Sequence, residues 1–184
     1  MNPSFSSYLI NDVFGDPGVY VEVRWSKRAL LFDLGHNDGL GPTRLLRAND
    51  IFISHTHVDH FIGFDAVLRV ALGRGKTVRL FGPPGLINNV QGKLQGYTWN
   101  LVDGYPLTID VQEFHPQKIR RTLFRATDWF RPDEQPARPI APEPVTGRFT
   151  ATLYDEHRRE ERELILGEIK ERFCTISRGQ KIAY

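Results

Sequence analysis

The sequence predicts a layered α/β fold, a mixed sheet carrying short helices. Three observations point to it. Short apolar runs rich in β-branched residues recur along roughly the first 115 residues, segments with apolar residues at helical spacing fall between them, and one run ends abruptly in a cluster of histidines and an aspartate. A strand that stops at such a cluster delivers its ligands to a sheet rim.

The elements follow in order. Leu9 to Phe14 is a mixed apolar opening, and Gly15-Asp16-Pro17-Gly18 has the composition of a tight turn. Val19 to Trp25 predicts a strand. Across Ser26-Lys27-Arg28 it forms a hairpin with Ala29 to Gly35, which is apolar nearly throughout and expected to be buried on both faces. A glycine-rich loop leads to a short helical segment at Thr43–Arg47 and a third strand at Asp50–Ser54. Phe64 to Leu72 has helical spacing and ends at Gly73, a suitable C-cap. Val78–Phe81 predicts a strand closed by Gly82-Pro83-Pro84-Gly85, Leu86–Leu94 a helix, and Leu107–Phe114 an alternating, half-exposed strand. Residues 116–148, broken by six prolines from Pro116 to Pro144, are expected to be loop or linker. Phe149–Leu153 predicts a short strand, and the charge-dense Asp155–Lys170 a solvated helix with Glu–Arg pairs at helical offsets. Two β segments are expected at Phe173–Ile176 and Lys181–Tyr184.

With 184 residues, 40% hydrophobic and 25% charged, one domain with a real core is the expectation over 1–184. A formal charge of +2 advertises no global field for a polyanion, so any basic surface is local. Cys174 stands alone and the first thirty residues have no signal-peptide pattern, which fits a cytoplasmic protein; no apolar run is long enough to span a bilayer.

The chemistry is concentrated in His55-Thr56-His57-Val58-Asp59-His60. In an extended segment His55, His57 and Asp59 share one face and His60 points elsewhere. If the chain instead turns helical after His57, the two pairs address two neighbouring ions. Imidazole and carboxylate together suit zinc, with manganese or iron also compatible, and the near absence of cysteine removes thiolate structural sites.

Ser54 to His60, followed by Phe61-Ile62-Gly63, resembles the HxHxDH signature of the metallo-β-lactamase-fold hydrolases. Leu31-Phe32-Asp33-Leu34-Gly35 upstream and Leu80-Phe81-Gly82-Pro83-Pro84-Gly85 downstream resemble the ribonuclease Z branch. The resemblance implies an αβ/βα sandwich of which only the first half to two-thirds is present. It implies two zinc ions in a complete site, one on His55 and His57, the other on Asp59 and His60. Asp59 would also be catalytic, accepting the proton of the attacking water, and Asp33 would brace the ligand loop by hydrogen bonds. The Gly82–Gly85 turn would lie beside the site.

A complete site of that kind also takes a third histidine, a bridging aspartate and a last histidine. Only His115 and His157 follow the cluster, the first early at a strand end, the second in the charged stretch where a solvated face is expected. Thr152–Arg162 stands where the third histidine would lie, and Arg178–Tyr184 resembles the strand leading to the bridging aspartate. The resemblance therefore implies a longer polypeptide or a shortened gene product, binding metal weakly as a monomer, with a homodimer if the site is completed.

The function implied is a zinc-dependent phosphodiesterase resembling ribonuclease Z, an endonuclease that processes the 3′ end of precursor tRNA. Lys118–Arg125 is basic enough to touch RNA phosphates, though an ordinary charged strand accounts for it as well. A small-molecule hydrolase of the same fold, acting on a cyclic phosphodiester, lactone or thioester, or a truncated non-catalytic remnant, are the other readings. No residue in the sequence identifies the substrate-binding surface.

Overall fold

The computed structural model describes residues 5–140, 150–155 and 160–165, which fall in two compact units, Met1–Ile140 and Ala141–Tyr184. In the first unit eight strands are neighbours in chain order: β1 Phe5–Leu9, β2 Val19–Val23, β3 Ala29–Phe32, β4 Ala48–Phe52, β5 Thr77–Gly82, β6 Thr108–Phe114, β7 Lys118–Arg125 and β8 Pro132–Pro139. β1–β2–β3 pair antiparallel, β3–β4–β5–β6 parallel, and β6–β7–β8 antiparallel again. The parallel strands need crossovers, supplied by α1 Gly41–Leu45, α2 Val58–Phe61, α3 Phe64–Ala71 and α4 Leu86–Gln95.

Helical spacing decides which face each helix buries. In α3, Phe64, Val67, Leu68 and Ala71 are buried, and in α4 Leu86, Ile87, Val90 and Leu94, the i, i+3, i+4 stripe of an amphipathic helix. These stripes join Leu31, Ile51, Val78, Leu80, Ile109, Val111 and Phe124 in one core on the helix side of the sheet. Among the described residues no helix is long and apolar enough to cross a membrane.

The opposite sheet face has a different character. Asp50 on β4, Arg79 on β5 and Asp110 on β6 lie in register, and Arg28 and Arg121 complete the row, Arg121 holding Asp110 through two bonds of 2.9 and 3.0 Å. Two residues further along the strands Phe32, Phe52 and Phe81 lie in register, and with Phe114 beyond them on β6 they form a line of rings with centroids 5.0, 5.0 and 6.4 Å apart. Phe32 is therefore 40% exposed, against the expectation of burial on both faces. The physical reason is the alternation of the pleat: Leu31 faces the helices, and Phe32 faces away from them.

Residues 116–148 also differ from expectation, because β7 and β8 occupy much of them. β8 is the last strand in the sheet order, where prolines that cannot donate to a ladder are tolerated, and the register shifts in the stretch of β8 that contains Pro136. Of the second unit, β9 Thr150–Asp155 and β10 Glu160–Ile165 are described as an antiparallel pair. The helix expected over Asp155–Lys170 is thus replaced by a strand in its middle. Side-chain pairs at helical offsets stabilise a helix by only a few tenths of a kcal/mol each, less than a full strand ladder offers. His157, the expected strands at 173–176 and 181–184, and the remainder of that segment lie outside the described residues.

Candidate metal centre

The site is assembled where β3 and β4 end. After Phe32 the chain leaves the strand through Asp33, a non-glycine residue at φ 60°, whose N–H donates to the Phe52 carbonyl at 2.8 Å. Leu34 N–H then donates to the His60 carbonyl and Gly63 N–H to the Leu34 carbonyl, both at 2.8 Å, so the β3 exit is sewn to α2. A side chain at Gly35 would run into the carbonyls of Asp59 and Pro17, and one at Gly63 into the Gly35 carbonyl and the Asn37 amide. Buried Asn37 closes the seam with a 2.9 Å bond to the Gly63 carbonyl.

Beyond β4 the chain stays extended through His57 (φ −63°, ψ 158°) and turns helical at Val58. Of the two arrangements open to the sequence, this is the one that divides the cluster into pairs. His55 Nε2 and His57 Nδ1 face one another at 3.1 Å; Asp59 Oδ2 and His60 Nε2 stand 3.5 Å apart. Two donors on a tetrahedral zinc at about 2.0–2.1 Å lie about 3.3 Å from each other, so both pairs have the spacing of a coordination edge. The rings of His55 and His60 are packed together, centroids 3.9 Å apart, which sets the two edges side by side. The residues present fit a pair of ions with two protein donors each, and among the described residues no three His, Cys, Asp or Glu side chains form one ion-holding group.

Asp33 stands behind the pairs. Its Oδ1 accepts the Ser54 N–H at 2.7 Å, and its Oδ2 lies 3.0 Å from His60 Nδ1. With Nδ1 donating to that carboxylate, His60 Nε2 keeps its lone pair free. From the other side Asn89 of α4 donates to Thr56 Oγ1 at 2.6 Å, between the two histidines of the first pair. The α4 N-terminus is itself capped by Glu113, only 2% exposed, which accepts Gly85 N–H at 2.9 Å and Ile87 N–H at 2.8 Å.

His115 is engaged elsewhere, with Nε2 3.1 Å from Glu113 Oε2. The arginines of Lys118–Arg125 are also taken up: Arg120 lies against Glu113, Arg121 against Asp110, and Arg125 against Asp133. This favours the ordinary charged strand over an RNA contact. Sequence reasoning did not single out Ser54, Asn37, Asn89 or Glu113. Only Glu113 carried a signal, since period-two alternation sets it on the same face as Ile109 and Val111, where a carboxylate needs donors.

The chain is similar in sequence to curated ribonuclease Z proteins over part of their length. It is 40% identical over 105 residues to the ribonuclease Z of Deinococcus radiodurans, covering 56% of this chain and 32% of that protein. It is 28% identical over 110 residues to the ribonuclease Z of Methanococcus maripaludis strain S2, covering 56% and 34%, and 30% over 110 residues to that of strain C6, covering 55% and 35%. The matches thus span about a third of the length of these curated relatives. No protein-family model matches the chain. Among solved structures, the short form of human tRNase Z overlays with a TM-score of 0.38 at 18% identity, covering 62% of this chain and 54% of that one. The metallo-beta-lactamase fold protein YhfI from Bacillus subtilis gives 0.37 at 12%, covering 65% and 57%.

Proposed function

We propose that the chain carries the ligand loop of a zinc-dependent phosphodiesterase resembling ribonuclease Z, acting on precursor tRNA in the cytoplasm. The observation that carries the reading is the pairing of donors at coordination-edge spacing, His55 Nε2 with His57 Nδ1 and Asp59 Oδ2 with His60 Nε2. Zinc bound there would acidify a water and stabilise the leaving oxygen of a displaced phosphate. The chain's own residues do the rest. Asp33 orients His60, and the half-exposed Asp59 carboxylate accepts the proton of the attacking water. Among the described residues each ion would have two protein donors, fewer than the three usual in a hydrolytic zinc site, so full activity needs further donors, which a second copy in a homodimer could supply.

Purified full-length chain, assayed for metal by mass spectrometry and for cleavage of precursor tRNA and of bis-p-nitrophenyl phosphate, tests this. Bound zinc with tRNA cleavage supports it. Absence of metal together with no turnover of either substrate overturns the hydrolase reading, and turnover of the small diester alone removes the tRNA part.

A further inference from the structure

We propose that Ser54 is a positioning residue that sets the tautomer of His55 through Asp33. The proposal rests on the metal-site reading above. Ser54 Oγ is the centre of a small hub: 2.9 and 2.8 Å from the two oxygens of Asp33, 3.0 Å from His55 Nδ1 and 3.2 Å from His60 Nδ1.

A hydroxyl has one proton to give and two lone pairs to receive with, whereas an ionised carboxylate only accepts. The Asp33 carboxylate, already taking the Ser54 N–H, therefore draws the hydroxyl proton to itself. What Ser54 Oγ has left is acceptor capacity, and that capacity faces His55 Nδ1. His55 is thereby held with its proton on Nδ1 and its Nε2 lone pair aimed at the rim, where it meets His57. His60 reaches the same state by a shorter route, because its Nδ1 lies 3.0 Å from Asp33 Oδ2 directly.

One carboxylate, directly for His60 and through one hydroxyl for His55, thus presets two of the three rings.

The test is long-range ¹H–¹⁵N correlation spectroscopy of the metal-free, ¹⁵N-labelled chain at a pH where the rings are neutral, followed by optical titration with cobalt. Wild type should show Nδ1–H for His55 and His60. Ser54→Ala keeps the backbone bond to Asp33 and should convert His55 to a mixture or to Nε2–H, leave His60 unchanged, and weaken cobalt binding about 10- to 100-fold. Ser54→Thr, which restores the hydroxyl, should return both readouts toward wild type. A His55 that is Nε2–H in wild type, or that stays Nδ1–H in Ser54→Ala because water replaces the hydroxyl, overturns the proposal. The spectra are taken without metal, so a chain that fails to bind cobalt counts against the proposed function and leaves the tautomer result to decide the role of Ser54.

Discussion

Asp33 and His60 are 27 residues apart in sequence and meet at 3.0 Å between carboxylate Oδ2 and ring Nδ1, where the exit of β3 meets α2. Both side chains are only 16% exposed, so the contact is shielded enough to act on the ring's tautomer. It joins the first strand of the parallel set to the last histidine of the cluster.

Asp33→Asn is the sharpest probe of that contact. Asparagine tolerates the φ of 60° at this position, so the backbone stays in place. An amide that keeps its oxygen on the Ser54 N–H, however, presents NH₂ to a ring nitrogen that also donates. The conflict drives His60 to its other tautomer and covers the lone pair at Nε2. Zinc or cobalt affinity is expected to fall about 10- to 100-fold while the far-ultraviolet circular dichroism is unchanged. Undiminished affinity would show that Asp33 braces nothing.

His57→Ala and Asp59→Ala separate chemistry from stability. Neither residue belongs to the core: His57 is exposed, and the Asp59 side chain is 49% exposed at the rim. Both variants should lose any diesterase activity and leave the urea midpoint within the roughly 0.5 kcal/mol typical of surface substitutions. Wild-type turnover in either would remove the cluster from the mechanism.

Phe32→Ala and Phe64→Ala test how the sheet is covered. Phe64 is buried in α3 at 1% exposure and its loss should cost about 3–5 kcal/mol in urea unfolding. Phe32 is 40% exposed and stacks on Phe52, so its loss should cost about 1–2 kcal/mol, the value of a partly buried ring and one stacked pair. Equal costs would mean that Phe32 is covered as fully as Phe64. The same residue marks what a sequence conveys. Apolar runs located β2 to β6 and helical spacing located α3 and α4, because those signals are local. Which face of β3 meets helices is a property of the assembled sheet, and Phe32 looks no different from Leu31 until the pairing is known. Proline likewise argued against strands in 116–148, and only the edge position of β8 makes them admissible. In the site, the clustering of His55, His57, Asp59 and His60 was legible from spacing. Ser54, Asn89 and Glu113 were not, since each acts through a partner that the fold brings from elsewhere.

Glu113 should prove to be a structural anchor with an effect on the site. Its buried side chain accepts two N–H groups from the start of α4 and lies against the partly exposed His115 and Arg120. Glu113→Ala removes a helix cap worth about 1 kcal/mol and orphans buried donors at about 1–3 kcal/mol, for a total near 2–4 kcal/mol. Glu113→Gln keeps one acceptor oxygen and should lose less. Because α4 carries Asn89 to Thr56, the alanine variant is also expected to bind metal more weakly than its stability alone accounts for. Isothermal titration beside urea unfolding distinguishes the two effects.

Asp50 makes part of the stability depend on acid. Burial alone raises its pKa, but hydrogen bonds and charge from Arg79 and Arg28 outweigh that, and the net shift is downward from the ordinary value of 3.8. A carboxyl whose folded pKa is depressed contributes stability that is fully present above its unfolded pKa and is lost as pH falls through the folded one. The contribution should therefore be intact at pH 7 and begin to fade below about pH 4–5, continuing downward as the folded form is protonated. Asp50→Asn removes the charge at every pH, so it should be less stable than wild type at pH 7, leaving two guanidinium groups without their partner. The gap should narrow toward pH 3. Urea midpoints at pH 7, 5 and 3 for both proteins give the comparison. A gap that stays constant across that range would show that the Arg28–Asp50–Arg79 row holds this face by shape and not by charge.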